Sequence, residues 1–182
     1  MEIQILKESG KDVALMGLGF SYELESEDIP VTGAYSQKTQ ARAEILGKLD
    51  GGHNKFLEQI QVWLCVRAPM YWWSQMDTYR LCSKSSKSKM HTLMSRPLLR
   101  SDFCSEVKPD TVRYLENLRQ SDAFEDLIAE LPMGYLQTRI INLSYKTIRN
   151  IIKQRSEHKL KEWSVFCEYL MKNLNDSKFL GI

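Results

Sequence analysis

Read by the spacing of its apolar positions, the chain opens on a short strand. Ile3 and Ile5 alternate with polar neighbours, and Gly10 marks a turn after them. A polar stretch over 23–37, carrying Pro30 and Gly33, reads as a loop. Ala43, Ile45, Leu46 and Leu49 predict a helix over 40–49, stopped by the Gly51, Gly52 pair. The clearest strand covers 60–67, where Ile60, Val62, Leu64 and Val66 alternate with Gln61, Trp63, Cys65 and Arg67 and turn one aliphatic row toward a core. Pro69 suits a first helical turn, and the run MYWWSQMDTYR predicts a helix ending near Arg80. The second half reads as helical throughout. Val112, Leu115 and Leu118 mark one helix, and Phe124, Leu127, Ile128 and Leu131 mark the next. After Pro132 and Gly134, Ile140, Ile141, Ile148, Ile151 and Ile152 mark a third, and Leu160, Trp163, Phe166, Leu170 and Leu174 mark the last. Trp72, Trp73, Trp163 and Phe166 are read as core, the usual place for large aromatics.

Composition narrows the class. With 43% hydrophobic and 26% charged positions, 182 residues bury one sizeable core, so a single domain over 1–182 is expected. A formal net charge of +2 is too small for a general nucleic-acid or membrane binder, and any electrostatic function is therefore local. No apolar run nears the roughly 20 residues that span a bilayer. The start, MEIQILKESG, has an acidic second residue and no long apolar stretch, which argues against a secretory signal and for a cytoplasmic protein. Cys65, Cys82, Cys104 and Cys167 are scattered and form no C-x-x-C pair, so they are read as reduced structural thiols, with no metal site expected.

One local feature stands apart from that balance. Arg80, Lys84, Lys87, Lys89, Arg96 and Arg100 follow one another with no acid between Asp77 and Asp102, and Ser83, Ser85, Ser86 and Ser88 lie among them. Cations, hydroxyls and an extended backbone together could hold a phosphate through charge-assisted hydrogen bonds. By composition alone a solvated loop is the commoner meaning of such a run.

Order and spacing point to the ligand. Gly52-His53-Asn54-Lys55-Phe56-Leu57-Glu58-Gln59, the strand, Arg67-Ala68-Pro69, Gln75, Tyr79-Arg80, seven residues and then Ser88 form a collinear series that resembles the flavin-dependent thymidylate synthases. Their signature is Arg-His-Arg, seven residues and a serine. The series continues with Leu131-Pro132, Thr138-Arg139 and Asn150 to Arg155, which look like that family's Leu-Pro, Thr-Arg and Asn-x-x-x-x-Arg blocks. The resemblance implies an α+β fold with a central, mostly antiparallel sheet, flanking helices and a helical C-terminal half. It implies that Gln75, Ser88, Arg139 and Arg155 contact a pyrimidine nucleotide, with Ser86, Lys87 and Lys89 beside them. His53, Glu58, Arg80 and Asn150 would lie around FAD. Arg155 and Ser88 would be the catalytic pair, the first polarising the pyrimidine's carbonyl edge and the second holding base or phosphate.

The reaction so implied carries a one-carbon unit to C5 of dUMP or a related nucleotide, with reduced FAD as hydride source, methylenetetrahydrofolate as carbon donor and NADPH as reductant. A homotetramer with shared sites is implied as well, with neither membrane nor nucleic acid as a partner. This chain departs from the pattern at four places: Thr78 and Tyr79 replace the signature's first arginine and its histidine, Ser86 a frequent glutamate, and Met90 a phosphate-binding arginine, for which Lys89 is a partial substitute. Two readings follow: a divergent flavin enzyme, or an inactive homologue that binds or sequesters a nucleotide.

Overall fold

The computed structural model describes residues 1–22 and 35–181. Most of the loop expected over 23–37 lies outside the described residues. Strands β1 (Glu2–Ser9), β2 (Gln61–Pro69), β3 (Cys82–Ser86) and β4 (Leu136–Ser144) form one sheet in the order β1-β2-β4-β3, and every neighbouring pair is antiparallel. Around it stand α1 (Lys11–Phe20), α2 (Gln37–Leu46), α3 (Met70–Met76), α4 (Lys89–Thr92), α5 (Pro109–Gln120), α6 (Phe124–Ala129), α7 (Tyr145–Arg155) and α8 (Lys161–Asn173). The class is α+β, as the sequence implies.

The alternation of β2 is realised as read: Val62, Leu64, Val66 and Ala68 are fully buried. Opposite them on β4 stand Leu143, Ile141, Arg139 and Gln137. Directly opposed residues share a face, so Arg139 and Gln137 lie on the helix-covered side at the Pro69 end of the sheet. Trp63, Cys65 and Arg67 pair with Asn142, Ile140 and Thr138 on the other face, which stays partly exposed.

β4 interrupts the second half, which is therefore not helical throughout. Ile140 and Ile141 belong to this strand, and helix α7 begins only at Tyr145, where Ser144 accepts a hydrogen bond from the Thr147 amide at 3.1 Å. The strand was hidden because two of its four core-facing positions, Gln137 and Arg139, are polar. Other boundaries also move. Helix α3 ends at Met76, short of Arg80, where the Thr78 hydroxyl donates to the Gln75 carbonyl at 2.7 Å. Helix α2 lies three residues earlier than its apolar pattern, because Ser36 caps it by accepting from the Thr39 amide at 3.0 Å. Helix α1 carries no sequence signal that spacing could find, since Gly17 and Gly19 dilute it.

The main core is aromatic where α3 meets α8. The Trp72 ring lies 4.8 Å from those of both Trp73 and Trp163 and 5.2 Å from Phe166, centroid to centroid. Two polar ties fix this contact: Tyr71 donates to Glu162, and the Trp163 indole N–H donates to Gln75 Oε1 at 2.7 Å. A second apolar cluster, with Leu98, Phe103, Val112, Leu115 and Leu127, forms beneath α5 and α6. The segment leading to α5 is pinned by buried Asp102, whose carboxylate accepts from Arg96 at 2.8 and 2.6 Å and from the Leu99 amide at 2.9 Å. Burial alone would raise the Asp102 pKa, but the Arg96 and Leu99 bonds hold it below the ordinary carboxylate value. The four cysteines carry free thiols, and burial pushes those of Cys82 and Cys167 up to about 11. No helix among the described residues is long and apolar enough to cross a membrane.

The register makes a paired prediction. Ile141→Ala should cost about 2–5 kcal/mol in urea unfolding, because Ile141 is fully buried, whereas Ile140→Ala, at 45% exposed, should cost about 1 kcal/mol or less. Equal losses would contradict β4. Asp102→Asn should destabilise the protein at neutral pH. Because the folded carboxyl titrates below its unfolded value of about 3.9, the stabilisation is present above that pH and is lost as pH falls through the folded pKa. The gap between wild type and variant should therefore shrink in acid, as followed by thermal melts across pH.

Candidate functional site

Two polar centres sit on the aromatic core. The first is a cleft of about 360 Å³ between the α3–β3 connection and α7, lined by Thr78, Tyr79, Arg80, Asn150, Gln154 and Arg155 among others. Arg155 ends α7, and its Nε–H donates to the Tyr79 hydroxyl at 3.0 Å, while that hydroxyl donates to Gln154 Oε1 at 3.0 Å. The guanidinium lies 5.1 Å from the Trp163 ring centroid and 5.8 Å from that of Tyr79. Such cation–π contacts contribute roughly 0.5–2 kcal/mol each. Tyr79, standing where the signature has a histidine, thus orients the arginine. The two terminal nitrogens of Arg155 have no hydrogen-bond partner among the described residues. Gln75 joins this centre through Trp163, which both bonds it and backs Arg155.

The second centre lies at the β3 end of the sheet. Arg139 stacks on Trp73 with its guanidinium carbon 4.5 Å from the ring centroid. Its Nη1 donates to both oxygens of Asp77 at 2.9 and 3.1 Å, and its Nε and Nη2 donate to Gln137 Oε1 at 3.0 and 2.9 Å. Lys84 approaches the same Asp77 carboxylate at 3.6 Å and donates to the Tyr79 carbonyl at 3.2 Å, linking the two centres. Ser86 is directly opposite Arg139 in the β3–β4 register. Just beyond the strand, the Lys87 amide donates to the Thr138 carbonyl at 3.0 Å, and Ser88 caps α4 by accepting from the His91 amide at 3.4 Å. Lys89 is half-buried, and its ammonium reaches the Met70 sulfur at 3.5 Å.

The structure therefore brings Arg80, Asn150 and Arg155 into one cleft with Gln75 behind it, and gathers Ser86, Lys87, Ser88, Lys89 and Arg139 into a neighbouring cluster. It does not bring His53 or Glu58 to either. His53 lines a separate cavity of about 550 Å³ with residues of α1 and α2, and Glu58 is exposed near the start of β2. Thr78 and Met90 are exposed, and an apolar thioether stands at Met90 in place of the arginine expected there. Sequence reading missed Asp77, Gln137 and Gln154, and it saw Lys84 only as one of the cationic run. Asp77 had a signal, being the last acid before the cationic run, but its partner Arg139 lies 62 positions away.

No family description and no curated protein matches the sequence. Solved structures do match. A flavin-dependent thymidylate synthase from Helicobacter pylori, complexed with FAD and dUMP, is 20% identical, with a TM-score of 0.73 over 94% of this chain and 92% of that one. Another structure of the Helicobacter pylori enzyme with the same ligands is 18% identical, with a TM-score of 0.77 over 99% and 97%. A UMP/dUMP methylase from Streptomyces cacaoi, bound with 5-Br UMP, is 13% identical, with a TM-score of 0.65 over 93% and 86%. The order of strands and helices, the antiparallel sheet and the end-to-end coverage agree: this chain has the fold of the flavin-dependent thymidylate synthases.

Proposed function

We propose that the protein is a cytoplasmic, flavin-dependent enzyme that transfers a one-carbon unit to C5 of a pyrimidine deoxynucleotide, dUMP or a close relative. The observation that carries this reading is the meeting of Arg80 with Asn150 and Arg155 of α7, two segments far apart in the chain, on one cleft, within a fold whose neighbours were crystallised with FAD and dUMP. A surface loop with a chance cation run has no reason to gather them.

The donor set suits part of a flavin dinucleotide. Arg80 would face its phosphates, and the Asn150 amide can both donate to and accept from its polar ring edge. Bound reduced FAD would supply the hydride, with methylenetetrahydrofolate as carbon donor and NADPH as reductant. The chain's own groups bind and orient. Arg155, held by Tyr79 and backed by two rings, presents its terminal nitrogens to the pyrimidine's carbonyl edge and stabilises negative charge that develops there. Gln75 is held with its carbonyl oxygen on Trp163, which leaves its amide nitrogen to contact the nucleotide. Ser88 stands beside the lysines at the start of α4 and offers its hydroxyl to base or phosphate. No side-chain nucleophile is needed, so tyrosine in place of histidine is compatible with turnover.

A cleft of about 360 Å³ is too small for a dinucleotide, a nucleotide and a folate together. Completion by further copies, in a homotetramer with shared sites, would supply the missing walls. The partly exposed sheet face carrying Trp63 and Ile140 offers a surface for one of them. A second reading, a nucleotide binder without turnover, is supported by one observation: the cleft is lined by uncharged Thr78 where the signature's first arginine is absent.

Flavin absorbance in the purified protein separates the two. The enzyme reading expects a yellow protein. A colourless protein that binds dUMP and does not take up added FAD would establish the binder. Arg155→Ala should weaken dUMP binding roughly tenfold to a hundredfold by calorimetry, the loss of a charge-assisted bond of about 1.5–3 kcal/mol. Unaltered affinity would remove Arg155 from the site.

A further inference from the structure

Trp163 meets three groups of the first polar centre. Its indole N–H bonds Gln75, its ring packs edge-on to Tyr79 at 6.0 Å, and the Arg155 guanidinium lies over it at 5.1 Å. Arg155 ends α7, whereas Trp163 lies in the first turn of α8. Where the ring stands under the guanidinium is therefore set by the turn between the two helices, residues 156–160.

That turn lacks the usual devices. Leu160, the residue before α8, has a side chain that cannot accept a hydrogen bond, so the helix start has no side-chain cap. Neither glycine nor proline fixes the course of the turn. Two side chains tie it instead: His158 Nδ1 accepts from the Leu160 amide at 3.1 Å, and the Ser164 hydroxyl donates to the Ser156 carbonyl at 3.2 Å. The His158 amide also donates to the Arg155 carbonyl at 3.1 Å, and the Trp163 amide donates to the Leu160 carbonyl at 3.0 Å. His158 thus stands in a chain of bonds that runs from the Arg155 backbone to that of Trp163. Its ring packs edge-on against the Trp163 ring with centroids 6.4 Å apart. Half-buried, it lines neither the cleft nor the cavity that His53 borders, so its influence on a ligand is indirect.

We infer that His158 is a positioning residue of the candidate site: by accepting from the Leu160 amide it fixes the α7–α8 turn and holds Trp163 where one ring both backs Arg155 and bonds Gln75. Its effect on nucleotide binding rests on the function proposed above, while the seating of Trp163 does not. Trp72 and Phe166 keep the indole in the core from its other sides. Loss of the His158 bond therefore loosens the ring without expelling it, and Arg155 and Gln75 lose orientation together.

Two variants of the full chain separate the hydrogen bond from the ring contact. His158→Asn keeps an acceptor for the amide two residues on and gives up the ring, whereas His158→Leu keeps apolar bulk against Trp163 and gives up the acceptor. Each is followed by dUMP calorimetry and by hydrogen exchange of the Trp163 and Trp73 indole N–H groups, identified by nuclear magnetic resonance with Trp163→Phe and Trp73→Phe. Trp73 is the internal control, since its N–H bonds the Gln137 carbonyl in the same core and would exchange faster only if the whole fold were weakened. In His158→Leu the Trp163 hydrogen should exchange roughly threefold to tenfold faster with Trp73 unchanged, and dUMP should bind more weakly by a similar factor, the equivalent of one neutral hydrogen bond. His158→Asn should restore both. Ser164→Ala, which removes the turn's other tie, should act in the same direction and keeps the test open if His158→Leu folds poorly. Unchanged Trp163 exchange in His158→Leu, equal acceleration of Trp73, or equal losses in His158→Asn would overturn the assignment. Selective acceleration at Trp163 in a protein that binds no dUMP would support His158 as the holder of the ring and remove the nucleotide reading.

Discussion

The candidate site of this chain rests on a slab of packed aromatic rings. Trp72, fully buried, touches Trp73, Trp163 and Phe166. The outer rings of that slab carry the two arginines of the candidate site, Arg139 over Trp73 and Arg155 over Trp163. A guanidinium on a flexible stem loses considerable rotamer entropy when it is fixed. Here the rings hold it flat from below and the neighbouring polar groups hold its edges, so its orientation is set before any ligand arrives. The same packing joins α3 to α8, and through the Trp73 indole N–H, which donates to the Gln137 carbonyl at 2.8 Å, it joins both to the sheet.

On that platform the charges are divided. Arg155, with terminal nitrogens unpartnered among the described residues, lines a cleft, and Arg139 is closed off by Asp77 and Gln137. Beside the closed one, Lys87 and Lys89 stand without carboxylate partners among the described residues. A net charge near zero for the whole chain conceals this arrangement, because the acids that balance the total lie mostly elsewhere.

The departures from the family signature also gain physical sense. Tyr79 replaces a cation-capable ring with a hydroxyl that accepts from Arg155 and donates to Gln154, so the position keeps its place in the cleft while changing its chemistry. Asp77 adds a carboxylate next to the position where the signature's first arginine is absent.

By itself the amino-acid sequence determined the pieces whose signal is local. The period of two in β2, the apolar faces of α5, α7 and α8 and the burial of Trp72, Trp73, Trp163 and Phe166 need only neighbouring residues to be recognised. The order of Gln75, Arg80, Ser88, Arg139, Asn150 and Arg155 was equally legible. Tertiary structure alone decided the rest. Strand β4 owes its existence to pairing with β2 and β3 on either side, and its polar Gln137 and Arg139 are received there by Trp73 and Asp77. The pairing of Asp77 with Arg139 and the seating of Arg155 against the rings of Tyr79 and Trp163 join residues dozens of positions apart. Such contacts arise from chain closure and packing, which no local periodicity encodes.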